Sequence, residues 1–292
     1  MRNKFINCLI SKAKKDESII LITGDLGYNL VEPFQNEFPE RFINAGICEQ
    51  NMASMAAGMA SEGFKVFIYS IANFPTFRCS EQIRNDICYH NLDVTIVSVG
   101  GGVAYGNLGY SHHAIQDYGL MRLFPEMTIL SPGDPLEVDL CMNYIFKDKS
   151  PKYLRLHKAG ERTVTKNKEP LCGGIWRKLT NENSNNIFLS TGNGLDIAIK
   201  MKNFDKYNNY DIYTCPIWGS KFIESQLIQS NKFNKIITVE DHLFACGFGS
   251  WIQESLHKNK LLELDFISLD ENIIGKVGCE DYLLNFLKKP DI

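Results

Sequence analysis

Two stretches of this chain place reactive side chains where only a folded scaffold could make use of them. In "RFINAGICEQNMASMAAGMASEG" (residues 41–63) a carboxylate, Glu49, stands at the threshold of a helix built almost wholly of Ala, Gly, Ser and Met. Such a helix can approach a neighbour closely, and nothing in it calls for a carboxylate. Glu49 can be read as a helix-start carboxylate, favoured by the macrodipole and by free backbone N–H groups. It can also be read as a ligand-facing group, which requires an aromatic platform, a polar glycine loop and a close symmetric interface. In "GGGVAYGNLGYSHH" (100–113) the pair His112 and His113 follows a glycine-rich loop. Adjacent histidines cannot share one helix or strand face, and no His or Cys stands nearby at zinc spacing, so a metal site is not expected. Hydrogen bonding and proton transfer are both open to a loop histidine.

Two further glycine-bearing turns carry less. "STGNGLD" (190–196) misses the dinucleotide pattern because Ile197 stands at the third glycine position, so a tight strand-to-helix turn is expected. "VEDHLFACGFGSW" (239–251) sets two acids and a histidine at a strand end, with Gly247 and Gly249 at a helix entry. Close packing of that helix on a sheet explains them.

The elements that must hold these groups alternate. The runs 18–27, 65–70, 93–102 and 127–134 are apolar on consecutive positions and end in Gly, Ser, Asp or Pro. Strands buried on both faces of a parallel sheet read this way. Helices are expected at 49–61, 78–90, 113–123 and 134–147. The fold class is α/β with two open-sheet domains: 1–150, a connection over 151–185 containing the loop-like "TNENSNN", and a smaller domain over 186–292. A length of 292 residues is comfortable for two cores. A net charge of -3 gives no electrostatic reason to expect nucleic acid or an anionic membrane as partner. No apolar run approaches the ~20 residues of a bilayer span. The first residues read as an amphipathic helix rather than a signal peptide. Nine cysteines without a C-x-x-C pair suggest reduced thiols in a cytoplasmic protein.

Taken in order, these pieces resemble the transketolase family of thiamine-diphosphate enzymes over almost the whole chain. "RFINAGICEQNMASMAAGMASEGFKVFIYS" is similar to the segment of the pyrimidine-binding domain that carries the glutamate touching the cofactor's aminopyrimidine. "NFPTFRCSEQIRNDICYHNLDVTIVSVGGG" resembles the aromatic-bearing segment and next strand, and "GNLGYSHHAIQDYGLMRLFPEMTILSPGDPLE" the glycine loop, histidine and following elements. "GFGSW" resembles the helix entry of the C-terminal domain. The resemblance implies that Glu49 favours the imino tautomer of the aminopyrimidine, which then removes the thiazolium proton. It implies Phe74 as the stacking ring with Phe77 as the second candidate, Gln50 behind Glu49, and Asp25 near the cofactor or interface. A turn-forming Asp25 is an equal reading. His112 is implied at the cofactor amino group and reacting oxygens, with His113 beside it, and Arg155 as an anchor for a substrate phosphate.

Two departures qualify the resemblance. A complete transketolase carries a G-D-G metal motif in a further N-terminal domain, whereas residues 24–26 read Gly-Asp-Leu and 133–135 Gly-Asp-Pro. The expectation is a split enzyme. A separate subunit with G-D-G would supply the diphosphate and Mg2+ sites, in an assembly of two copies of each chain that is inactive without the partner. Second, the family's acidic pair before the histidine is replaced by Asn107 and Leu108, and Ser80 stands where many relatives have tyrosine. Leucine cannot accept a sugar hydroxyl, so a modified acceptor such as a nucleotide-linked sugar is one expectation. The alternatives are the beta subunit of a 2-oxo-acid decarboxylating enzyme and a non-catalytic regulatory paralogue; deoxyxylulose-phosphate synthase is a relative normally made as one long chain.

Overall fold

The computed structural model describes residues 1–259 and 261–290. The first sheet contains β1 (Ile19–Thr23), β2 (Phe42–Asn44), β3 (Lys65–Ile71), β4 (Val94–Val99), β5 (Thr128–Leu130) and β6 (Lys152–Leu156). The second contains β7 (Arg177–Lys178), β8 (Asn186–Ser190) and β9 (Asp211–Thr214), and later β11 (Lys235–Leu243), β12 (Glu263–Leu269) and β13 (Leu287–Lys288). Between β9 and β11 the chain returns as β10 (Ile217–Trp218) to the first sheet.

The apolar runs form strands because helices cover both faces of the sheet. Ile20 and Ile22 of β1 join Val66, Ile68 and Ile96 in one core, while Ile19 and Leu21 join Phe67, Val97 and Leu154 in the other. Period-two alternation thus sends both sets into apolar surroundings. The order of the first sheet is β10-β5-β6-β4-β3-β1-β2, parallel throughout except for β10, which runs antiparallel to β5. The second is ordered β13-β12-β11-β8-β9-β7, with β8, β9, β11 and β12 parallel and antiparallel edges. These are the two expected open-sheet α/β units.

Several details differ from the sequence reading. The stretch 151–185, expected as a connection, opens with β6, which pairs with both β4 and β5 and so lies inside the first sheet. The two units also share one core: Trp218 of β10 is fully buried against Tyr118, Phe248 and Trp251. The helix expected over 113–123 shrinks to Asp117–Arg122, because Ala114 exchanges both backbone hydrogen bonds with Gly102 and is held extended. The helix expected over 78–90 is a 3-10 turn at Phe77–Cys79, a short α turn at Ser80–Gln82 and a π turn at Ile83–Cys88.

Parallel strands deliver their C-terminal ends to one edge. The segments leaving β1, β2, β3 and β4 carry Asp25, Glu49, Phe74 and His112 in turn. In open α/β sheets this is the edge where ligands bind.

Candidate active site

Glu49 is the first residue of the helix Glu49–Ser61, a short loop beyond the end of β2. Its side chain is only 5% exposed, and its one hydrogen bond among the described residues comes from Arg78, Nη1 to Oε1 at 2.7 Å. It lies against Gly24 at the end of β1, where an added Cβ would stand 3.5 Å from the Glu49 Cγ. The carboxylate is therefore a buried acceptor at the first helical turn, with one oxygen uncommitted to protein donors.

An aromatic wall follows. The Arg78 guanidinium sits 4.1 Å from the centre of the Phe74 ring, a cation–π distance. The Phe74 ring meets the His112 imidazole edge-on, with centroids 5.2 Å apart. Glu49, Arg78, Phe74 and His112 thus form a continuous run of contacts across three strand-end segments. His112 is half-buried and shares a hydrogen bond of 3.0 Å between Nδ1 and the Ser111 hydroxyl. Burial, then neighbouring His113 and the Arg78 cation, lower its pKa below the usual imidazole value. At neutral pH the ring is uncharged and able to accept a proton.

The other expected residues divide. Asp25 adopts φ +56° and forms a reciprocal pair with Asn44: its N–H donates to Asn44 Oδ1 at 3.0 Å, and Asn44 Nδ2 donates to its Oδ1 at 2.9 Å. Asn44 Oδ1 also accepts from the Gly46 N–H. This ties together the ends of β1 and β2 just ahead of Glu49. Gln50 and Phe77 are exposed, and among the described residues neither side chain has a hydrogen bond or ring contact with the Glu49–His112 run. His113 is buried and donates from Nε2 to the Gly106 carbonyl, so it braces the glycine loop instead of facing a substrate.

Arg155 departs furthest from expectation. It is 3% exposed on β6. Nε donates to Asp117 at 2.8 Å, and Nη1 to Asp241 at 2.7 Å and to the Tyr118 hydroxyl at 3.0 Å. With two carboxylates already bound, this guanidinium does not present itself as a phosphate anchor. A cleft of about 260 Å³ opens elsewhere on this edge, lined by Lys158, Arg162 and Lys200 together with Glu161, Asp196 and Glu280. It contains neither Glu49 nor His112.

Sequence reasoning misses Arg78, Asn44 and Asn73. Arg78 is visible as the one cation in "NFPTFRCSEQ", four residues after Phe74. Asn73 donates to the carbonyls of Ser111 and His113 at 3.2 and 2.8 Å and so ties the Phe74 segment to the histidine loop. No pattern in the sequence pairs positions so far apart.

Residues 1–162 match the family described as "Transketolase, pyrimidine binding domain". The chain belongs to the transketolase family. That family depends on thiamine diphosphate, and this chain corresponds to a separate C-terminal subunit of it. A protein of Methanocaldococcus jannaschii named "Putative transketolase C-terminal section" is 31% identical, matching 98% of this chain and 91% of its own length. An apulose-4-phosphate transketolase subunit of Phocaeicola vulgatus is 28% identical over 94% of this chain and 88% of that one. A solved structure titled "Split gene transketolase, inactive beta4 tetramer" superposes with a TM-score of 0.79 at 25% identity, covering 92% of this chain and 89% of that chain.

The site fits one end of the family cofactor. A buried carboxylate with an uncommitted oxygen, next to an aromatic face and a neutral imidazole, suits a flat heterocycle with an amino group. Among the described residues no cluster of three or more His, Cys, Asp or Glu could hold a metal ion. Nor is any helix among them long and apolar enough to cross a membrane.

Proposed function

We propose that this chain is the C-terminal subunit of a split thiamine-diphosphate transketolase, moving a two-carbon ketol unit from a ketose phosphate to an aldose or modified sugar acceptor. The observation that carries this reading is the buried Glu49 carboxylate at a helix start, joined through Arg78 and Phe74 to His112. When bound, thiamine diphosphate would supply a nucleophilic carbon for the substrate carbonyl. Glu49 accepts a hydrogen bond from the pyrimidine ring and sets its tautomer. Phe74 fixes the plane of that ring. His112, uncharged at neutral pH, holds or moves a proton at the reacting oxygens.

The rest of the catalytic site comes from outside this chain. The lack of a G-D-G motif points to an N-terminal partner that holds Mg2+ and the diphosphate. Tyr28, Ile47, Phe77, Leu108 and Tyr110 are exposed apolar side chains on the segments that leave the same sheet edge. Such a rim suits coverage by a second chain, and the exposed face of Glu49–Ser61 carries only small or short polar residues after its first turn, namely Ser54, Gly58 and Ser61. The assembly is then two of each chain, in the cytoplasm, with cofactors at the interfaces. Leu108, 57% exposed, stands where an acid would bind a sugar hydroxyl in the family, which favours an altered acceptor such as a nucleotide-linked ketosugar.

Reconstitution decides the matter. The chain is combined with the G-D-G partner, thiamine diphosphate and Mg2+, and labelled two-carbon transfer is followed from a ketose phosphate. Turnover by the pair and by neither chain alone is expected, with Glu49→Ala abolishing it while leaving the assembly intact. Full activity of Glu49→Ala would remove that residue from the mechanism. Equal or better use of ordinary aldose phosphates than of nucleotide-linked sugars would remove the altered acceptor.

A further inference from the structure

The loop carrying His112 belongs to the first α/β unit by sequence, yet the second unit holds it. Ala114, two residues beyond His112, trades backbone hydrogen bonds of 2.9 and 2.8 Å with Gly102. Its carbonyl also accepts from Arg155 Nη2 at 2.8 Å. The next carbonyl, that of Ile115, accepts from the N–H of Leu243, the last residue of β11, at 3.1 Å. Asp241 of the same strand bonds Arg155 Nη1 and presses its other oxygen on the glycine loop. A Cβ at Gly102, whose φ is +64°, would lie 2.1 Å from Asp241 Oδ2. That position must be glycine for the carboxylate to fit. On its far side the loop is tied to Asn73. His112 therefore hangs between the Phe74 segment and a buried ion cluster, in which Arg155, Asp117 and Asp241 are each 3% exposed or less.

We propose that Asp241, in the second unit, is a positioning residue for His112, acting through Arg155 and the carbonyl of Ala114. This rests on the reading of the site given above. A guanidinium held by two carboxylates has a fixed plane and fixed N–H directions. Its Nη2, which also donates to the Asp241 carbonyl at 3.5 Å, then fixes the Ala114 peptide, and with it the direction from which the chain leaves His112. The loop contains Gly100, Gly101, Gly102, Gly106 and Gly109, so its own backbone preferences cannot supply that constraint. A role in stability alone would require only that the ion cluster be satisfied, with no bond to the loop. The C-terminal unit thus sets the distance between His112 and the Phe74 ring.

Two measurements on the full chain test this without turnover. In native-state hydrogen exchange of the unsubstituted chain, the Ala114 and Leu243 amides should open together, with protection within about threefold. Asp241→Asn, which keeps the volume and removes the charge, should speed exchange at Ala114 about tenfold and move the His112 ring resonance, assigned by its loss in His112→Gln. Amides of Glu49–Ser61 should stay unchanged. In the reconstituted pair the same variant should lower kcat about tenfold with KM within twofold. The proposal is overturned if Ala114 opens far more readily than Leu243 in the unsubstituted chain. It is equally overturned if Asp241→Asn leaves Ala114 and His112 unmoved, or speeds exchange uniformly across the chain. Absence of turnover in the unsubstituted pair would count against the transketolase reading, and Asp241 would still be judged by exchange and resonance.

Discussion

The Arg78 guanidinium donates to Glu49 at 2.7 Å while covering the Phe74 ring at 4.1 Å, so one half-exposed cation occupies both surfaces proposed above to meet a pyrimidine ring. Glu49 is buried, and an unpaired carboxylate there would be costly. Arg78 supplies that pairing in this structure.

This arrangement predicts competition. Arg78→Gln should tighten thiamine diphosphate binding to the reconstituted pair about fivefold, the equivalent of about 1 kcal/mol for a partly exposed ion pair. The same change should lower the thermal midpoint of the chain without cofactor, because Glu49 loses its partner. Calorimetric titration checks the first effect and a thermal melt the second. An unchanged or weakened Kd would show that Arg78 does not stand in the way.

Asn44 makes a second prediction. Its amide ties Asp25 and Gly46 through three hydrogen bonds and sets the path from β2 into Glu49. Asn44→Ala should cost about 1–2 kcal/mol of unfolding free energy, measured by urea denaturation, since the site is exposed and the bonds are neutral or singly charged. Cofactor affinity should fall as well, because Asp25 holds φ +56° with the help of that amide. A stability loss with affinity unchanged would limit Asn44 to the turn.

The sequence made some of this legible and hid the rest for identifiable reasons. Consecutive apolar positions in β1, β3 and β4 announce strands with two buried faces, and the structure has them. Glu49 at a helix start and the glycine loop before His112 are local patterns, so they stand out as candidates, while the roles proposed for them come from the family resemblance. Arg155 illustrates the limit. An arginine at the end of a strand looks available until Asp117 and Asp241, 38 and 86 residues away, are seen to enclose it. The boundary near residue 150 fails similarly, because β6 looks like the start of a connection until it is seen between β4 and β5.

His112 predicts a pH dependence. Its pKa is lowered, chiefly by burial and then by His113 and Arg78, so the neutral ring persists below the usual value of about 6.5. In this range the unfolded chain binds the proton more readily than the folded one, so His112 lets stability rise with pH up to about 6.5. Turnover should show an acidic limb below pH 6.5 that His112→Gln removes, with kcat lower by about 10²-fold. An acidic limb that survives in His112→Gln belongs to another group.

The link between the two units at His157 should make the opposite contribution. His157, beside the end of β6, bonds Glu161 on its own loop at 3.2 Å and Glu280 of the second unit at 2.7 Å; Lys158 also pairs with Glu280 at 2.7 Å. Burial alone would lower the His157 pKa, but the hydrogen bonds and charges of the two glutamates override it and raise it to about 9. Burial likewise acts to raise Glu280, and His157 and Lys158 bring it down to about 2. For the histidine, with folded pKa above unfolded, the stabilisation is fully present below about 6.5 and is lost as pH rises through about 9. For Glu280 it is present above the usual carboxylate value and is lost as pH falls through about 2. The pair therefore contributes most between these limits, by an amount on the order of 1–3 kcal/mol. Urea melts at pH 6 and pH 9.5 should show the unsubstituted chain losing stability across that interval, and His157→Gln should remove most of the slope. A slope of the same size in His157→Gln would place the alkaline transition on a different group.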